Sequence, residues 1–277
     1  MSTAADGAGG PPRSTAGLLL TILGEFVLPM GEAGTWTSTL VSTLADLGVE
    51  EKAVRQVLMR TADRGLIRSV KHGRRARWHL TESGRVLLVD GTERIYAFAG
   101  AARDWDGRWL VVLARVPETE RGARHHLRSR LGWAGLGKLS AGTWISPHPE
   151  RYREVRAVLD DAGLGADAHV FAGEWLGERD PAQLAATAWD LDSIAAHYRW
   201  FADEFAARAP HTDRQALTRQ IELVHHWRRS LLIDPGLPEQ VLPADWPGYG
   251  AAERFRRCHE QWQQAAQRHW RALSADG

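Results

Sequence analysis

The chain has 277 residues, of which 44% are hydrophobic and 25% charged, and its formal net charge is +1. That is enough for two or three domains with a sizeable core, and the make-up of an ordinary soluble globular protein; the overall charge says nothing about nucleic acid. The single cysteine excludes an intrachain disulfide, and the lack of any apolar run of about 18 residues argues against a membrane span, so a cytoplasmic protein with no membrane partner is expected.

Residues 1–15 are rich in Gly, Pro, Ala, Ser and Thr and have no charged start followed by an apolar core. They read as a disordered tail and not as a signal peptide. Residues 16–98 read as a helix-rich domain with one basic hairpin. Leu18–Phe26 is an apolar helix pattern stopped by Pro29 and Gly31. Trp36, Leu40, Val41, Leu44 and Leu47 recur at helical spacing, with Thr37 or Ser38 available as a cap and Gly48 as the stop. Glu50–Arg64 is the next helix, closed by Gly65. Two helices joined by a short glycine turn make the helix-turn-helix arrangement.

The second helix of this pair is amphipathic in an unusual way. Ala53, Val54, Val57, Leu58, Thr61 and Ala62 fall on one face and should point into a core. Lys52, Arg55, Gln56, Met59, Arg60 and Asp63 fall on the other, and Arg, Lys and Gln are side chains that bond base edges and phosphates. Leu66–Val70 and Ala76–Leu80 then read as a hairpin, with Lys71, His72, Gly73, Arg74, Arg75 and Arg77 at or beside its tip. From Lys52 to Trp78 there are nine Lys/Arg against one acid, Asp63. A charge run alone is as readily a solvated face; joined to two helices and a glycine-tipped hairpin it predicts a winged helix-turn-helix, its helix in the major groove and its hairpin on the backbone or in the minor groove.

Residues 104–176 alternate strand and helix patterns. Arg108–Val116 reads as a buried strand, Thr119–Leu131 as a basic helix, Gly137–Ala141 and Thr143–Ser146 as short strands, Arg151–Ala162 as a helix and Ala168–Trp175 as a last strand. The order β-α-β-β-α-β predicts a ferredoxin-like domain with both helices on one sheet face; the other face is left for a neighbouring domain, a partner or a ligand. Asp104 and Asp106 could hold a magnesium ion, but a short polar loop beside Trp105, Gly107 and Arg108 favours a solvated turn. Gly132–Gly137, with Arg128 and Lys138 close by, could cradle a phosphate on backbone N–H groups, Gly135 included, or could merely be a turn that needs glycine. The histidines show no zinc-ligand spacing, and no nucleotide-binding or hydrolase motif is present.

Residues 181–275 read as helical, with long patterns over Gln183–Arg208, Arg214–Leu232 and Glu253–Leu273 and a proline-punctuated loop over Asp234–Gly250. Their apolar stripes read as core, and the segment could dimerise the protein or help enclose an effector. Cys258 lies in a polar helical stretch, which favours a structural role over a reactive one.

Six stretches resemble the PaaX family of phenylacetic-acid catabolism repressors: LLLTILGEFVLP at 18–29, GVEEKAVRQVLMRTADRGLI at 48–67, GRRARWHLTESG at 73–84, WDGRW at 105–109, LSAGTWISP at 139–147 and DPGLPEQVLPADWPG at 234–248. The resemblance covers nearly everything after the tail. It implies an α+β chain in three parts: a winged helix-turn-helix, a ferredoxin-like middle domain and a helical C-terminal domain. It also implies a repressor released from DNA by an acyl-CoA thioester such as phenylacetyl-CoA. The middle domain of that family is similar to the small endoribonuclease of CRISPR adaptation, which carries an aspartate at the end of its first strand. Here the matching stretch, Ala114-Arg115-Val116-Pro117, has no carboxylate, which argues against inherited nuclease chemistry.

The reading is therefore a nucleoid-associated, non-enzymatic regulator without metal or cofactor. It is expected to bind double-stranded operator DNA as a homodimer through Lys52, Arg55, Gln56, Arg60, Lys71, His72, Arg74, Arg75 and Arg77. The effector would lie against Arg128, Gly135 and Lys138 or in the seam between the middle and C-terminal domains. A metal-dependent nuclease using Asp104 or Asp106, and a purely architectural DNA-docked protein, are the competing readings.

Overall fold

The computed structural model describes residues 14–98, 105–116 and 120–275, which combine α-helices with two antiparallel sheets in an α+β chain. All but the last two residues of the expected tail, and Asp104, lie outside the described residues. The chain divides into two compact units. One comprises the described part of Met1–Ala99 with Trp200–Arg228 and Gly250–Gly277; the other comprises that of Gly100–Arg199 with Arg229–Tyr249.

In the first unit, Ser14 caps helix α1 (Thr15–Ile22) by accepting from the Gly17 N–H at 3.0 Å. The helix widens into a π-helical turn over Leu23–Val27 and tightens into a 3-10 turn over Leu28–Met30, where Pro29 ends it. Leu18, Leu19, Ile22, Leu23, Phe26 and Val27 are all buried. Trp36 belongs to the short strand β1 (Thr35–Trp36) and not to the helix the spacing predicts; helix α2 (Thr37–Asp46) begins after it and has no side-chain cap. Gly48, at φ 80°, turns the chain left-handed into helix α3 (Glu51–Asp63). Strands β2 (Ile67–His72) and β3 (Arg75–Leu80) then form a hairpin tighter than expected, closing on Gly73 and Arg74 alone, and β1 pairs with β3 to give the order β1-β3-β2. Helix α4 (Glu82–Phe98) follows, its first turn fastened by Thr81, whose hydroxyl accepts from the Gly84 N–H at 3.0 Å.

This unit also contains the end of helix α8 (Leu191–Glu204) and most of α9 (Asp213–Ile233) and α10 (Pro247–Ala275). Trp227 of α9 stacks on Phe255 of α10 at 4.9 Å and donates to the Ile95 carbonyl at 3.2 Å. Trp270 lies 5.3 Å from Phe26, and the Thr39 hydroxyl donates to the Leu273 carbonyl. The Arg228 guanidinium reaches the Gly17 carbonyl and the Thr21 hydroxyl, at 3.1 and 2.9 Å. Glu25, in the π turn, accepts from the Tyr96 hydroxyl at 2.7 Å and from Gln220 at 3.2 Å, and meets His259 at 3.0 Å. Burial and the Glu25 charge push the Tyr96 phenol far above its ordinary value, so it stays a donor. These contacts satisfy polar groups that would otherwise be stranded in a dry interior.

In the second unit, strands β4 (Arg108–Leu113), β5 (Gly137–Ser140), β6 (Thr143–Ser146) and β7 (His169–Glu174) form an antiparallel sheet in the order β5-β6-β4-β7. Helices α5 (Arg121–Trp133) and α6 (Tyr152–Asp161) intervene in the β-α-β-β-α-β order read from the sequence. Leu110, Val112, Leu127, Leu131, Trp144, Val155 and Leu159 belong to the core cluster of this layer. On the opposite sheet face Trp109 and Ile145 are also buried, and Trp189 stacks 6.4 Å from Trp109.

The single helix predicted over Gln183–Arg208 is broken. Helix α7 (Pro181–Ala188) ends at Trp189, which is extended, and Asp190 starts α8 by accepting from the Ser193 N–H and hydroxyl at 3.1 and 2.7 Å. These bonds pull the Asp190 carboxyl below its usual range. Trp189 lies over Gly137, where any Cβ would come within 2.5 Å of the indole. The break thus follows from a tertiary demand on one tryptophan.

Candidate nucleic-acid interface

Helix α3 divides as its periodicity predicts. Val54, Val57, Leu58 and Thr61 are buried, while Lys52, Arg55, Gln56, Met59, Arg60 and Asp63 are exposed. Lys52, Arg55, Gln56, Met59 and Arg60 form one open surface patch together with Glu51. The exposed thioether and amide sit among cations, so this face offers charge, hydrogen bonding and an apolar surface to the same ligand.

Glu51 changes the electrostatics. Arg55 pairs with it at 2.6 Å one helical turn away. Glu50 and Glu51 stand immediately before Lys52, and with them the cationic excess through Trp78 is six. An exposed pair of this kind is worth roughly 0.3–0.5 kcal/mol, so it orients Arg55 without locking it.

The hairpin sorts its cations by the pleat, because alternate residues of a strand leave opposite faces. Trp36 is paired across from Arg77, Val70 flanks Arg77 on the other side, and His72 pairs with Arg75. These residues therefore share one face, to which Arg68 also belongs by alternation. Thr35 pairs with Trp78, and Ile67 with Leu80, on the face that supplies the core. Lys71 pairs with Ala76 and so leaves from the core-side face, although near the tip it is exposed; Arg74 is exposed in the turn. The nine expected DNA-binding residues thus lie on the exposed face of α3 and along the hairpin, within one compact unit.

Trp36 is the residue the sequence reading missed. Its ring lies 4.4 Å from the Arg77 guanidinium carbon and 5.9 Å from that of Arg75, and it meets the His72 ring edge-on at 5.6 Å. At helical spacing it looked like core. Only strand register brings it opposite Arg77.

The residues expected to hold an effector are in the second unit. Arg128, on α5, and Lys138, on β5, are exposed. Gly135 is buried at φ 80° just past the end of α5, where its N–H bonds the Gly132 carbonyl and that of Leu136 bonds the Leu131 carbonyl, both at 2.9 Å. A Cβ there would strike the Arg151 guanidinium, which itself donates to the Ala134 carbonyl at 3.2 Å. This glycine has a complete structural account. Asp106 accepts from the Arg108 N–H at 2.9 Å and closes its own turn.

Three consecutive family models match: "PaaX-like protein" over residues 14–84, "PaaX protein central Cas2-like domain" over 102–185 and "PaaX-like protein C-terminal domain" over 189–272. The chain is 28% identical over 253 residues to the "Transcriptional repressor PaaX" of Escherichia coli (strain K12), covering 87% of this chain and 78% of that one. Its fold is similar to that of the "Uncharacterized protein Rv0674 from Mycobacterium tuberculosis", with a TM-score of 0.61 at 24% identity over 92% of this chain and 97% of the other. Matched in order by all three models from residue 14 to residue 272, the chain belongs to the PaaX family.

Proposed function

We propose that this chain is a transcriptional repressor, as its Escherichia coli relative is named, and that it grips operator DNA through a winged helix-turn-helix within residues 16–98. One observation carries the reading: α3 turns Lys52, Arg55, Gln56 and Arg60 outward in the same unit in which the hairpin presents Arg74, Arg75 and Arg77. Helix α3 enters the major groove, where Arg and Gln read base edges, and the hairpin neutralises phosphates beside it. The strand order β5-β6-β4-β7 supports a ferredoxin-like middle module over 104–176; the helical residues over 181–275 that follow are divided between the two compact units.

The protein binds as a homodimer, since two-fold assemblies pair with half-sites about one helical turn apart. An acyl-CoA thioester, phenylacetyl-CoA or a relative, releases it by binding a DNA-incompetent arrangement more tightly than the competent one. Family membership supports the effector class, and Arg128 and Lys138 are exposed cations available to its phosphates. A cytoplasmic, nucleoid-associated location follows from the same reading.

A mobility shift on the region upstream of its own coding sequence tests this. Arg74→Ala with Arg75→Ala weakens binding on every sequence and lowers the slope of log affinity against log salt by about two. An unchanged slope removes the hairpin from the interface. Titration of acyl-CoA thioesters into the complex releases DNA; no release by any of them removes the effector.

A further inference from the structure

We infer that Trp36 is the positioning residue of the hairpin's phosphate-binding face: its indole is the platform that holds Arg77, with Arg75 and His72 at its margins, in a fixed orientation toward DNA. The inference rests on the DNA-binding reading above and adds to it a residue that carries no charge.

Strand β1 is only two residues long, and its core-facing position is taken by the fully buried Thr35. Trp36 faces the other way, half-buried among cations, so core formation does not account for it. The Arg77 Nε is buried without a hydrogen-bond partner. What compensates the guanidinium there is the π face 4.4 Å away, whose quadrupole attracts the cation. A planar guanidinium on an indole has lost much of its rotamer freedom before any ligand arrives.

The platform is itself anchored. Trp36 immediately precedes α2, and the next residue, Thr37, donates to the Ala76 carbonyl at 3.1 Å and accepts from the Trp78 indole N–H at 3.0 Å. The junction of β1 and α2 is thereby tied to β3. The cation stacked on Trp36 keeps register with the helix pair, and so with α3, instead of swinging on a hairpin. Association penalises side chains that are ordered only on binding, and a stacked Arg77 has met that penalty already.

The test separates charge from pre-organisation. Counterion release depends on the number of cations at the phosphates, which Trp36→Leu leaves unchanged. Trp36→Leu is expected to weaken binding to the upstream duplex about five- to tenfold with the salt slope unaltered. Arg77→Ala weakens binding and lowers the slope by about one. Arg77→Lys, which keeps the charge but stacks poorly, weakens binding about threefold or more in the wild-type chain and changes nothing further in a Trp36→Leu background. Trp36→Phe retains most of the affinity. Wild-type affinity in Trp36→Leu, or Trp36→Leu and Arg77→Lys effects that simply multiply, overturns the inference while leaving the DNA-binding reading intact. Should Trp36→Leu fail to fold by circular dichroism, Arg77→Lys alone decides, and wild-type affinity in that variant overturns the inference. A wild-type chain with no salt-dependent duplex binding overturns both.

Discussion

Lys71, Arg75 and Arg77 look alike in the run KHGRRAR, yet the pleat sends Lys71 to one face and the two arginines to the other. His197 illustrates the same gap in another place. Burial first, and the nearby Arg229 charge second, push its imidazole down to about 4, and its Nε2 meets the Ser230 hydroxyl at 3.1 Å. Because the folded value is depressed, the unfolded chain binds the extra proton as pH falls below about 6.5. Stability present above that value is lost progressively down to pH 4 and then levels off. With the ring half-exposed and partly screened, the loss is about 1–2 kcal/mol. Urea denaturation at pH 7.5 and 4.5 measures it: His197→Gln, which cannot titrate, should show a smaller drop between the two. An equal drop assigns the effect elsewhere.

At the scale of elements, hydrophobic periodicity found α3 and its two faces because that helix has a core on one side only. It failed for the break at Trp189, which local propensity does not signal. Helix α4 gives an opposed pair of predictions from two glycines of identical sequence-level meaning. A Cβ at Gly84 would lie 1.9 Å from the Leu66 carbonyl oxygen, whereas at Gly91 nothing lies within 4 Å. Gly84→Ala therefore forces the start of α4 off the corner between α3 and β2 and costs about 2–3 kcal/mol. Gly91→Ala, in open space within the same helix, stabilises by about 0.5–1 kcal/mol. Thermal or urea unfolding of the two variants should move in opposite directions; a shift of the same sign in both would contradict the close approach at Gly84.

For the whole molecule, the consequential feature is that the module carrying α3 and the hairpin shares its compact unit with residues from the far end of the chain. Phe26 meets Trp270, Ile95 accepts from Trp227, and Asp46 takes a bidentate ion pair from Arg214, its Nε at 2.9 Å. A fragment ending at residue 98 loses all of these partners, uncovers Phe26 and takes Gln220 and His259 away from the Glu25 carboxylate, which keeps Tyr96. That fragment is expected to lack a cooperative thermal transition and to exchange its amide hydrogens quickly, while the full chain melts cooperatively. A sharp transition in residues 14–98 alone would show that the C-terminal helices merely lean on a self-sufficient domain.

By itself the sequence determined the helix pair, the polar face of α3, the hairpin and its cations, and the β-α-β-β-α-β order, because each is written in spacing that neighbouring residues enforce locally. It also carried the family resemblance, which the three consecutive family models bear out. Only the tertiary structure decided that Trp36 lies across from Arg77, that Trp189 interrupts a helix to cover Gly137, and that α9 and α10 contribute to the unit containing α3. Each of those depends on pairings between residues tens to hundreds of positions apart, and the free energy of such a contact belongs to the pair, so neither residue's local pattern announces it.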